Sequence, residues 1–522
     1  MKAQPQPSSR NRRQHSKPFV LTGRRASGLL MHPTSLPGEH GSGDAGDAAR
    51  KFIDFCRAAG QRWWQMLPIV PPGAKPGYSP YSSTSAFAGS PFLINLALLA
   101  RDGLLDRGDL AAPSSVARGD PDATQHFRIS RLRAAFERFK GQKKRHADFD
   151  AFRAAARDWL DDFALFSAIK QAERDRPWTE WPRELRLRLR AGIARAQQTL
   201  AEEIRFHQFV QYLFDRQWTA LHAYAGRNGV GLIGDIPIFV ALDSADVWAN
   251  PELFHLDKNG RPKVVSGCPP DAFCCDGQLW GHPHYNWPVH RRTSFDWWVR
   301  RFRSMLHNFD AVRIDHFLGF YRAWAVPARA ATAKAGRYVP GPADDIFRAV
   351  RDALGEVPII AEDLGNVVPG ALALRDRWGL PGMRVMQFGF GDGGEYHLPH
   401  TYNSRVVAYT GTHDNDTTVG WFKELVARDG EAAAERRKVV EYVGARGPRD
   451  VHWAMIKSAM LSVADTVIFP VQDILGLDGR ARMNTPGVAA NNWRWRMRGG
   501  ALTPAIARKL KGLTELADRD RE

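Results

Sequence analysis

Short apolar runs rich in Val, Ile, Leu and Met recur along the chain, and most of them end in polar or acidic residues. Continuous runs of this length are typical of strands that are buried on both faces, as in a parallel sheet. The pattern therefore predicts eight buried strands. The runs span residues 26–36, 63–70, 230–240, 309–317, 357–365, 383–390, 405–416 and 465–477.

Helical patterns lie between several of these runs. The fourth run is preceded by FDWWVRRFRSMLHNF, the fifth by DDIFRAVRDALG and the sixth by the helical pattern at residues 371–379. Alternating helices and eight buried strands predict an α/β fold, a (β/α)8 TIM barrel.

The spacing of the runs is uneven and predicts the domain organisation. We expect a catalytic barrel over residues 23–510, with a basic disordered tail at 1–22 and a charged C-terminal end at 511–522. Residues 100–225 are rich in Ala, Arg, Leu, Glu and Gln, which predicts an inserted helical subdomain. Residues 241–290 are rich in Pro, Gly, Trp and His, which predicts long, irregular active-site loops.

A net charge of +17 raises the question of nucleic-acid binding. The positive charge is spread along the chain and accompanies no nucleic-acid-binding motif, so arginine-rich solvated helices account for it and no nucleic-acid partner is expected. The chain lacks a run of about 18 apolar residues, and no membrane partner is expected. The basic N-terminal tail lacks the apolar stretch of a secretory signal, so a cytoplasmic location is predicted.

The four cysteines indicate neither a disulfide framework nor a metal site. Cys274 and Cys275 are adjacent, and neighbouring residues rarely form a disulfide because its geometry is strained, while Cys56 and Cys268 stand alone. No Cys or His cluster has the spacing of a zinc site. No phosphate-cradling glycine loop is found either, so neither a metal nor another cofactor is expected.

Acidic residues recur at the ends of the predicted strands. In a barrel the active site lies where the strands meet their following loops. A buried carboxylate is costly unless it is paired, so one such acid could belong to a structural salt bridge or a cap, but the set as a whole indicates a functional site. The residues concerned are Asp235, Asp315, Glu362, Asp363, His413, Asp414, Asp416 and Asp473.

Two of these acids lie at strand ends from which they could reach the separation that glycosidic bond cleavage needs. Retaining enzymes use two carboxyl groups about 5–5.5 Å apart, one as nucleophile and one as acid and then base. Asp315 and Glu362 end consecutive strands, and neighbouring strand axes lie about 4.8 Å apart. Arg313 lies two residues before Asp315 and so points to the same face, where it could hold that carboxylate ionised.

Aromatic residues in the predicted loops and strand ends point to a sugar substrate. Flat aromatic faces suit the apolar faces of sugar rings, although many tryptophans belong to a core. Trp63 and Trp64, beside the second strand, are predicted to be core, and Trp280 in GQLWGHP is predicted to be a binding surface. The other aromatic residues of this group are Tyr78, Tyr81, Trp248, Tyr285 and Trp287.

Nine segments occur in order along the chain: SPYSSTSAFAGSPFLI, GDIPIFVALDSADVW, GCPPDAF, GQLWGHP, VRIDHF, AEDLG, GLPGMRVMQF, TGTHDNDTTVGW and ARMNTPG. Through these segments, from about residue 25 to residue 500, the chain resembles the amylomaltases, 4-α-glucanotransferases of the α-amylase clan.

The resemblance implies a retaining mechanism that acts on α-1,4-glucans as donor and acceptor. It assigns Asp315 as nucleophile, Glu362 as general acid and base, and Asp414 as a ligand of the sugar hydroxyls next to the cleaved bond. It implies that Tyr81 stacks on this sugar and that Ser79 borders it. The remaining residues matched to sugar-binding positions are Asp235, Arg313, His413, His316, Gln278, Trp280, Phe388, Asp392 and Asn484.

Transfer rather than hydrolysis is implied by the resemblance alone, since both outcomes share the covalent intermediate. The loop at 266–287 matches the family's loop over the active site, and shielding of the intermediate favours transfer. The alternatives are a hydrolase or branching enzyme of the same clan, which would differ in loops and products, and a catalytically silent glycan-binding protein, which the presence of all three acids disfavours.

Three features depart from the family pattern and concern acceptor preference. The segment DAFCCDGQ carries two cysteines, and the segment after MQFGF, GDGGEYHLPHTY, is short. GHPHYNW carries His282 and His284 near the acceptor side. Neither histidine has an obvious third metal ligand, so sugar contacts or plain loop positions are expected.

Overall fold

The computed structural model describes residues 19–73, 77–142, 145–270, 275–488 and 490–520. Most of the predicted tail, residues 1–18, therefore lies outside the described residues, as do Cys274 and residues 521–522. Within the described ranges, no helix is both long and apolar enough to cross a membrane.

Twelve strands are found in the described part of the chain. They are β1 (Ala26–Leu30), β2 (Trp63–Gln65), β3 (Gly231–Ile236), β4 (Val264–Cys268), β5 (Gln278–Pro283), β6 (Ala311–Ile314), β7 (Arg322–Pro327), β8 (Arg337–Pro340), β9 (Ile359–Ala361), β10 (Gly382–Val385), β11 (Val406–Tyr409) and β12 (Thr466–Pro470).

Eight of these strands form a closed parallel barrel in the order β1-β12-β11-β10-β9-β6-β3-β2. Each of the eight predicted apolar runs contributes one barrel strand, so the predicted (β/α)8 barrel is confirmed. The barrel closes where the first strand pairs with the last, with Ala26 opposite Thr466. Because the barrel strands are parallel, their C-terminal ends share one face, where a site can form.

The barrel interior is filled by a cluster of buried side chains from all around the ring. One face of each barrel strand lines this cluster, and the other face packs against the helices. Because both faces are buried, the strands have continuous apolar sequences. The cluster includes Leu30, Trp63, Ile233, Ala311, Ile360, Met383, Val407 and Ile468. The prediction that Trp63 and Trp64 are core is confirmed, because both are buried.

Nineteen α-helices accompany the strands in the described residues. Those predicted before the fourth, fifth and sixth runs are α12, α13 and α14. The helices are α1 (Asp47–Ala58), α2 (Leu96–Arg101), α3 (Ser114–Ala117), α4 (Pro121–Lys140), α5 (His146–Ala155), α6 (Arg157–Ala172), α7 (Arg183–Arg186), α8 (Arg190–Thr199), α9 (Ala201–Arg227), α10 (Ala245–Ala249), α11 (Trp287–Arg292), α12 (Asp296–Asn308), α13 (Asp344–Leu354), α14 (Pro369–Arg377), α15 (Thr418–Ala427), α16 (Glu431–Val443), α17 (Val451–Leu461), α18 (Val471–Ile474) and α19 (Pro504–Leu516).

The long helical stretch between β2 and β3 does not stand apart from the barrel. Its last helix, α9, contacts the segment that leads into β6. There the Trp218 indole N–H donates to the carbonyl of Asn308 at 3.0 Å, and His222 Nε2 lies 3.0 Å from Asp310 Oδ2. The C-terminal boundary predicted for the insertion, residue 225, therefore falls inside a helix that covers the barrel.

A second, four-stranded antiparallel sheet has the order β5-β4-β7-β8. The prediction of irregular loops over 241–290 is therefore wrong for β4 and β5. The sequence of β5, QLWGHP, contains Gly and Pro, which are depleted in strands, and this composition concealed the strand. The other two strands come from the connection between β6 and β9, so two separate barrel loops build the sheet.

Both predicted ends reach into the barrel. Leu21, placed in the predicted tail, is buried, and its carbonyl accepts a hydrogen bond from Thr466 Oγ1 at 2.8 Å. The boundary predicted at 510/511 falls inside α19, and Arg519 beyond it is fully buried. Leu21 and Arg519 therefore belong to the packed structure, although both lie in predicted terminal segments.

Candidate active site

Three consecutive barrel neighbours, β3, β6 and β9, bring the principal acids to one end of the barrel. Parallel register places Asp235 of β3 opposite Arg313 of β6. The backbone hydrogen bonds continue just past the strands, because Asp315 N–H donates to Ile236 O at 3.0 Å and Glu362 N–H donates to Ile314 O at 3.1 Å. The adjacent strand ends thus fix the three carboxyl groups in place.

Arg313 joins these carboxyl groups. Its Nη1 donates to both carboxylate oxygens of Asp235 at 2.8 and 2.7 Å, and its Nη2 donates to Asp315 Oδ1 at 3.1 Å. The same Nη2 lies 4.0 Å from Glu362 Oε2. Arg313 and Asp235 are buried, whereas the side chain of Asp315 is 29% exposed. Asp315 is therefore the one of these acids that a bound molecule can reach most easily.

Glu362 is almost fully buried, and backbone groups hold its carboxyl. His316 N–H donates to Oε2 at 2.5 Å, and Leu364 N–H donates to Oε1 at 3.1 Å. The left-handed backbone of His316, with φ of 49°, turns this N–H onto the carboxyl. Burial raises the pKa of Glu362 above its ordinary value, and the charge of Asp315 adds to this effect while Arg313 opposes it. The carboxyl of Glu362 is thus able to hold a proton near neutral pH.

Tyr81, in the loop after β2, connects Asp235 to His413. Its hydroxyl donates to Asp235 Oδ2 at 2.7 Å and lies 2.9 Å from His413 Nε2. The two rings are stacked, with centroids 5.3 Å apart and an angle of 12° between their planes. Burial lowers the pKa of His413, so its imidazole is a neutral hydrogen-bonding group.

Asp414 follows β11 and is held by the segment after β12. The amide of Asn484 donates to Asp414 Oδ1 at 2.6 Å, and Arg482 Nη2 donates to the carbonyl of Asp414 at 2.7 Å. Oδ2 of Asp414 lies 3.3 Å from His413 Nε2. The carboxylate is therefore oriented from two sides while its side chain remains 41% exposed.

The second sheet contributes Gln278 and Trp280 of β5. The Trp280 indole N–H donates to Gln278 Oε1 at 3.1 Å, and its ring meets that of His316 edge-on with centroids 4.9 Å apart. His316 in turn holds Glu362 through its backbone. Ser79 lies beside the site in the loop after β2, where its Oγ accepts the N–H of Tyr81 at 3.3 Å.

Phe388 and Asp392 lie outside this series of contacts. Both are exposed in the segment after β10, where the ring of Phe388 packs against His397 with centroids 5.6 Å apart. The structure therefore shows no contact of either residue with the carboxyl cluster among the described residues.

Three acids at predicted strand ends have structural partners instead. Asp363 pairs with Arg375 and accepts the N–H of Met383 at 2.8 Å. Asp473 accepts both hydroxyls of Thr410 and Thr418, at 2.6 and 2.7 Å. Asp416 accepts the N–H of Thr417 at 2.7 Å. For these residues the structural alternative raised by the sequence is the one observed.

Two residues of the site were missed by the sequence reasoning. Arg482 lies in the motif ARMNTPG, from which only Asn484 was selected. Trp493 lies in the loop-like segment 477–500 and contacts both Tyr81 and His413, with ring centroids 5.8 and 6.1 Å away. The two tryptophans at positions 493 and 495 were the available signal.

Among the described residues, no group of three or more His, Cys, Asp or Glu side chains is arranged to hold a metal ion. The polar side chains of the site instead form hydrogen bonds with one another, as Arg313 does with Asp235 and Asp315. The fold and the site define a barrel enzyme whose carboxyl groups gather around one arginine at the C-terminal ends of the strands.

Comparison with known proteins agrees with this class. The profile of the 4-alpha-glucanotransferase family, glycoside hydrolase family 77, matches residues 31–503. The 4-alpha-glucanotransferase of Thermus thermophilus is 47% identical over 502 residues, which cover 95% of this chain and 99% of that protein. That of Synechocystis sp. is 44% identical over 504 residues, covering 95% and 98%.

A solved structure, the amylomaltase from Streptococcus agalactiae in complex with acarbose, superposes with a TM-score of 0.90 at 36% identity. The match covers 95% of this chain and 100% of that chain. The chain therefore belongs to the 4-alpha-glucanotransferase family, and it is a transferase of this family, as the resemblance implied.

Proposed function

We propose that this enzyme moves a segment of an α-1,4-glucan to the 4-hydroxyl of an acceptor glucan or glucose through a covalent glucosyl-enzyme intermediate. The observation that carries the proposal is the contact of one guanidinium, Arg313, with Asp315 and its proximity to Glu362. Retaining enzymes need two such carboxyl groups close together, one ionised and one protonated.

In the first step, the carboxylate of Asp315 attacks the anomeric carbon of the donor. A new bond forms between this carbon and the Asp315 oxygen as the glycosidic bond breaks. Glu362 gives its proton to the departing glycosidic oxygen, which leaves as the free 4-hydroxyl of the released segment. The raised pKa of Glu362 suits this role, because the carboxyl must be protonated near neutral pH.

In the second step, Glu362 acts as the base. It takes the proton of the acceptor's 4-hydroxyl as that oxygen attacks the anomeric carbon, and the bond to Asp315 breaks. The product carries a new α-1,4 bond, and both carboxyl groups return to their starting protonation states. Arg313 stabilises the negative charge that returns to Asp315.

The neighbouring residues bind the sugar whose bond is cleaved. Asp414 accepts hydrogen bonds from its hydroxyls, which suits a carboxylate that is oriented by Asn484 and still partly exposed. Tyr81 offers its ring, and Ser79 borders the same sugar. Asp235, Arg313 and His413 support this subsite. We assign further subsites to Gln278, Trp280, His316, Phe388, Asp392 and Asn484.

The substrates we propose are maltooligosaccharides and fragments of glycogen or starch. The amylomaltase of Streptococcus agalactiae was solved in complex with acarbose, which supports a sugar ligand for this enzyme. A cytoplasmic location stays a prediction.

Incubation of the purified enzyme with maltotriose tests the proposal. We expect a ladder of products both longer and shorter than maltotriose, with little gain in total reducing ends. The Asp315→Asn variant is expected to lower this activity on the order of 10⁴-fold or more, because it removes the nucleophile.

Asp296→Asn is the matched control, since Asp296 pairs with Arg300 and its side chain is 63% exposed on α12. This variant should retain full activity. A steady rise in reducing ends without longer products would show a hydrolase instead, and an active Asp315→Asn variant would contradict the assigned nucleophile.

A further inference from the structure

Trp493 borders both the candidate catalytic residues and a separate cavity. Its indole contacts the stacked rings of Tyr81 and His413. It also lines a cavity that is partly open to solvent and encloses about 640 Å³ with that open space included, together with His32, Tyr78, Ser90 and Arg496. Because the cavity opens in part to solvent, water can enter it, and side chains such as Ser90 and Arg496 offer polar partners there.

The backbone at Trp493 is held in an unfavourable conformation. Its φ is 65°, in the left-handed region, which is a marked outlier for a bulky residue. Asn491 has the same φ value. Strained backbone of this kind persists only where the surroundings fix it, and it concentrates at functional sites.

Several hydrogen bonds fix this conformation. The N–H of Trp493 donates to the carbonyl of Met483 at 2.8 Å, and the carbonyl of Trp493 accepts from Arg496 Nη1 at 3.1 Å. Beside it, the side chain of Asn492 accepts the N–H of Thr485 at 2.9 Å and donates to the carbonyl of Val488 at 2.7 Å. These bonds hold the indole in one position between the cavity and the Tyr81–His413 pair.

We propose that Trp493 separates the water of this cavity from the glucosyl-enzyme intermediate and thereby favours transfer over hydrolysis. The inference rests on the function proposed above. In hydrolysis, water replaces the acceptor: its oxygen bonds to the anomeric carbon, the bond to Asp315 breaks, and Glu362 takes the proton. Exclusion of water from a closed site suppresses this side reaction.

The ratio of hydrolysis to transfer tests the role of Trp493. With maltotriose as substrate, new reducing ends report hydrolysis and longer products report transfer. In Trp493→Ala, the ratio should rise severalfold because the wall between the cavity and the site is lost. In Trp493→Phe, which keeps an aromatic wall, the ratio should stay close to that of the unchanged enzyme.

Two further variants keep the test decisive. Trp493→Leu retains an apolar side chain and provides the measurement if the alanine variant does not fold, with an intermediate rise expected. Trp453→Ala removes a tryptophan of α17, whose ring packs against Lys509, and should leave the ratio unchanged.

An unchanged ratio in folded Trp493→Ala or Trp493→Leu would overturn the inference, as would an equal rise in Trp453→Ala. These outcomes differ from a failure of the proposed function. If the unchanged enzyme forms no longer products at all, the transfer mechanism itself is contradicted, whatever the variants do.

Discussion

Two buried arginines lie at opposite ends of the barrel and have different partners. At the C-terminal ends of the strands, Arg313 contacts the carboxylates of Asp235 and Asp315. At the N-terminal ends, Arg519 donates only to backbone carbonyls: those of Met460 at 2.8 Å, Ala26 at 3.1 Å, Asp465 at 3.0 Å and Ser462 at 3.2 Å.

The partners give the two guanidiniums opposite electrostatic settings. Burial disfavours the charge of both, but around Arg313 the carboxylates outweigh burial and raise its pKa. The pKa of Arg519 falls to about 9, through burial and the nearby charge of Arg25. One arginine thus organises the acids assigned to the reaction, and the other binds backbone carbonyls, of which those of Met460 and Ser462 also accept from Arg25. The chemical role follows from the partners and not from burial.

The same substitution at both ends separates the two roles. We expect Arg313→Lys to lower kcat for maltotriose disproportionation by about 10²–10³-fold, because one ammonium cannot contact Asp235 and Asp315 in the manner of a planar guanidinium. Steady-state kinetics of the folded variant measure this effect. A kcat within a few fold of the unchanged enzyme would remove Arg313 from the mechanism.

Arg519→Lys should lower the stability of the fold and leave kcat unchanged. Lysine cannot reach all four carbonyls, so hydrogen bonds from the charged guanidinium are lost and the free energy of unfolding should fall by about 1–3 kcal/mol. Thermal and urea unfolding measure this loss. At a temperature where the variant is folded, kcat should match that of the unchanged enzyme. A loss of kcat there would mean that the two ends of the barrel are coupled.

The effect of Glu362→Gln on thermal stability should depend on pH. Because burial raises the pKa of Glu362 in the folded state, its contribution to stability is fully present at low pH and is lost as the pH rises through that folded pKa. The inactive amide variant should therefore melt about 1–3 °C above the unchanged enzyme at alkaline pH, with a smaller difference near pH 4. A difference independent of pH would contradict the assigned protonation.

The pH dependence of kcat/KM gives a second measurement of this protonation. For the unchanged enzyme, the apparent pKa of the alkaline limb should also lie above the ordinary pKa of a glutamate.

The barrel and its acids could be predicted from sequence because each depends on local pattern. Buried strands leave continuous apolar runs, and the position of an acid at the end of such a run is visible in the chain itself. The roles assigned to Asp315, Glu362 and Asp414 came from the family motifs and stay predictions.

What could not be predicted depends on distant pairing. Arg519 contacts Ala26 across 493 positions of sequence, and nothing near residue 519 marks it as buried. Asp363 and Asp473 look like Asp315 in sequence, and only the arginine and threonines that meet them in space show that they are structural. Strand β5 was missed because its own composition does not indicate a strand. It is a strand because it pairs with β4, which lies earlier in the chain.

The second sheet has a consequence for how the family can diversify. Its strands come from two different barrel connections, β4 and β5 from one and β7 and β8 from the other, and it carries Trp280 to the site. Replacement of one connection by a loop without these strands would leave β4 or β7 with an unpaired edge. The position of Trp280 thus depends on both connections, and we expect a chimaeric enzyme to keep this part of the site best when both come from the same parent.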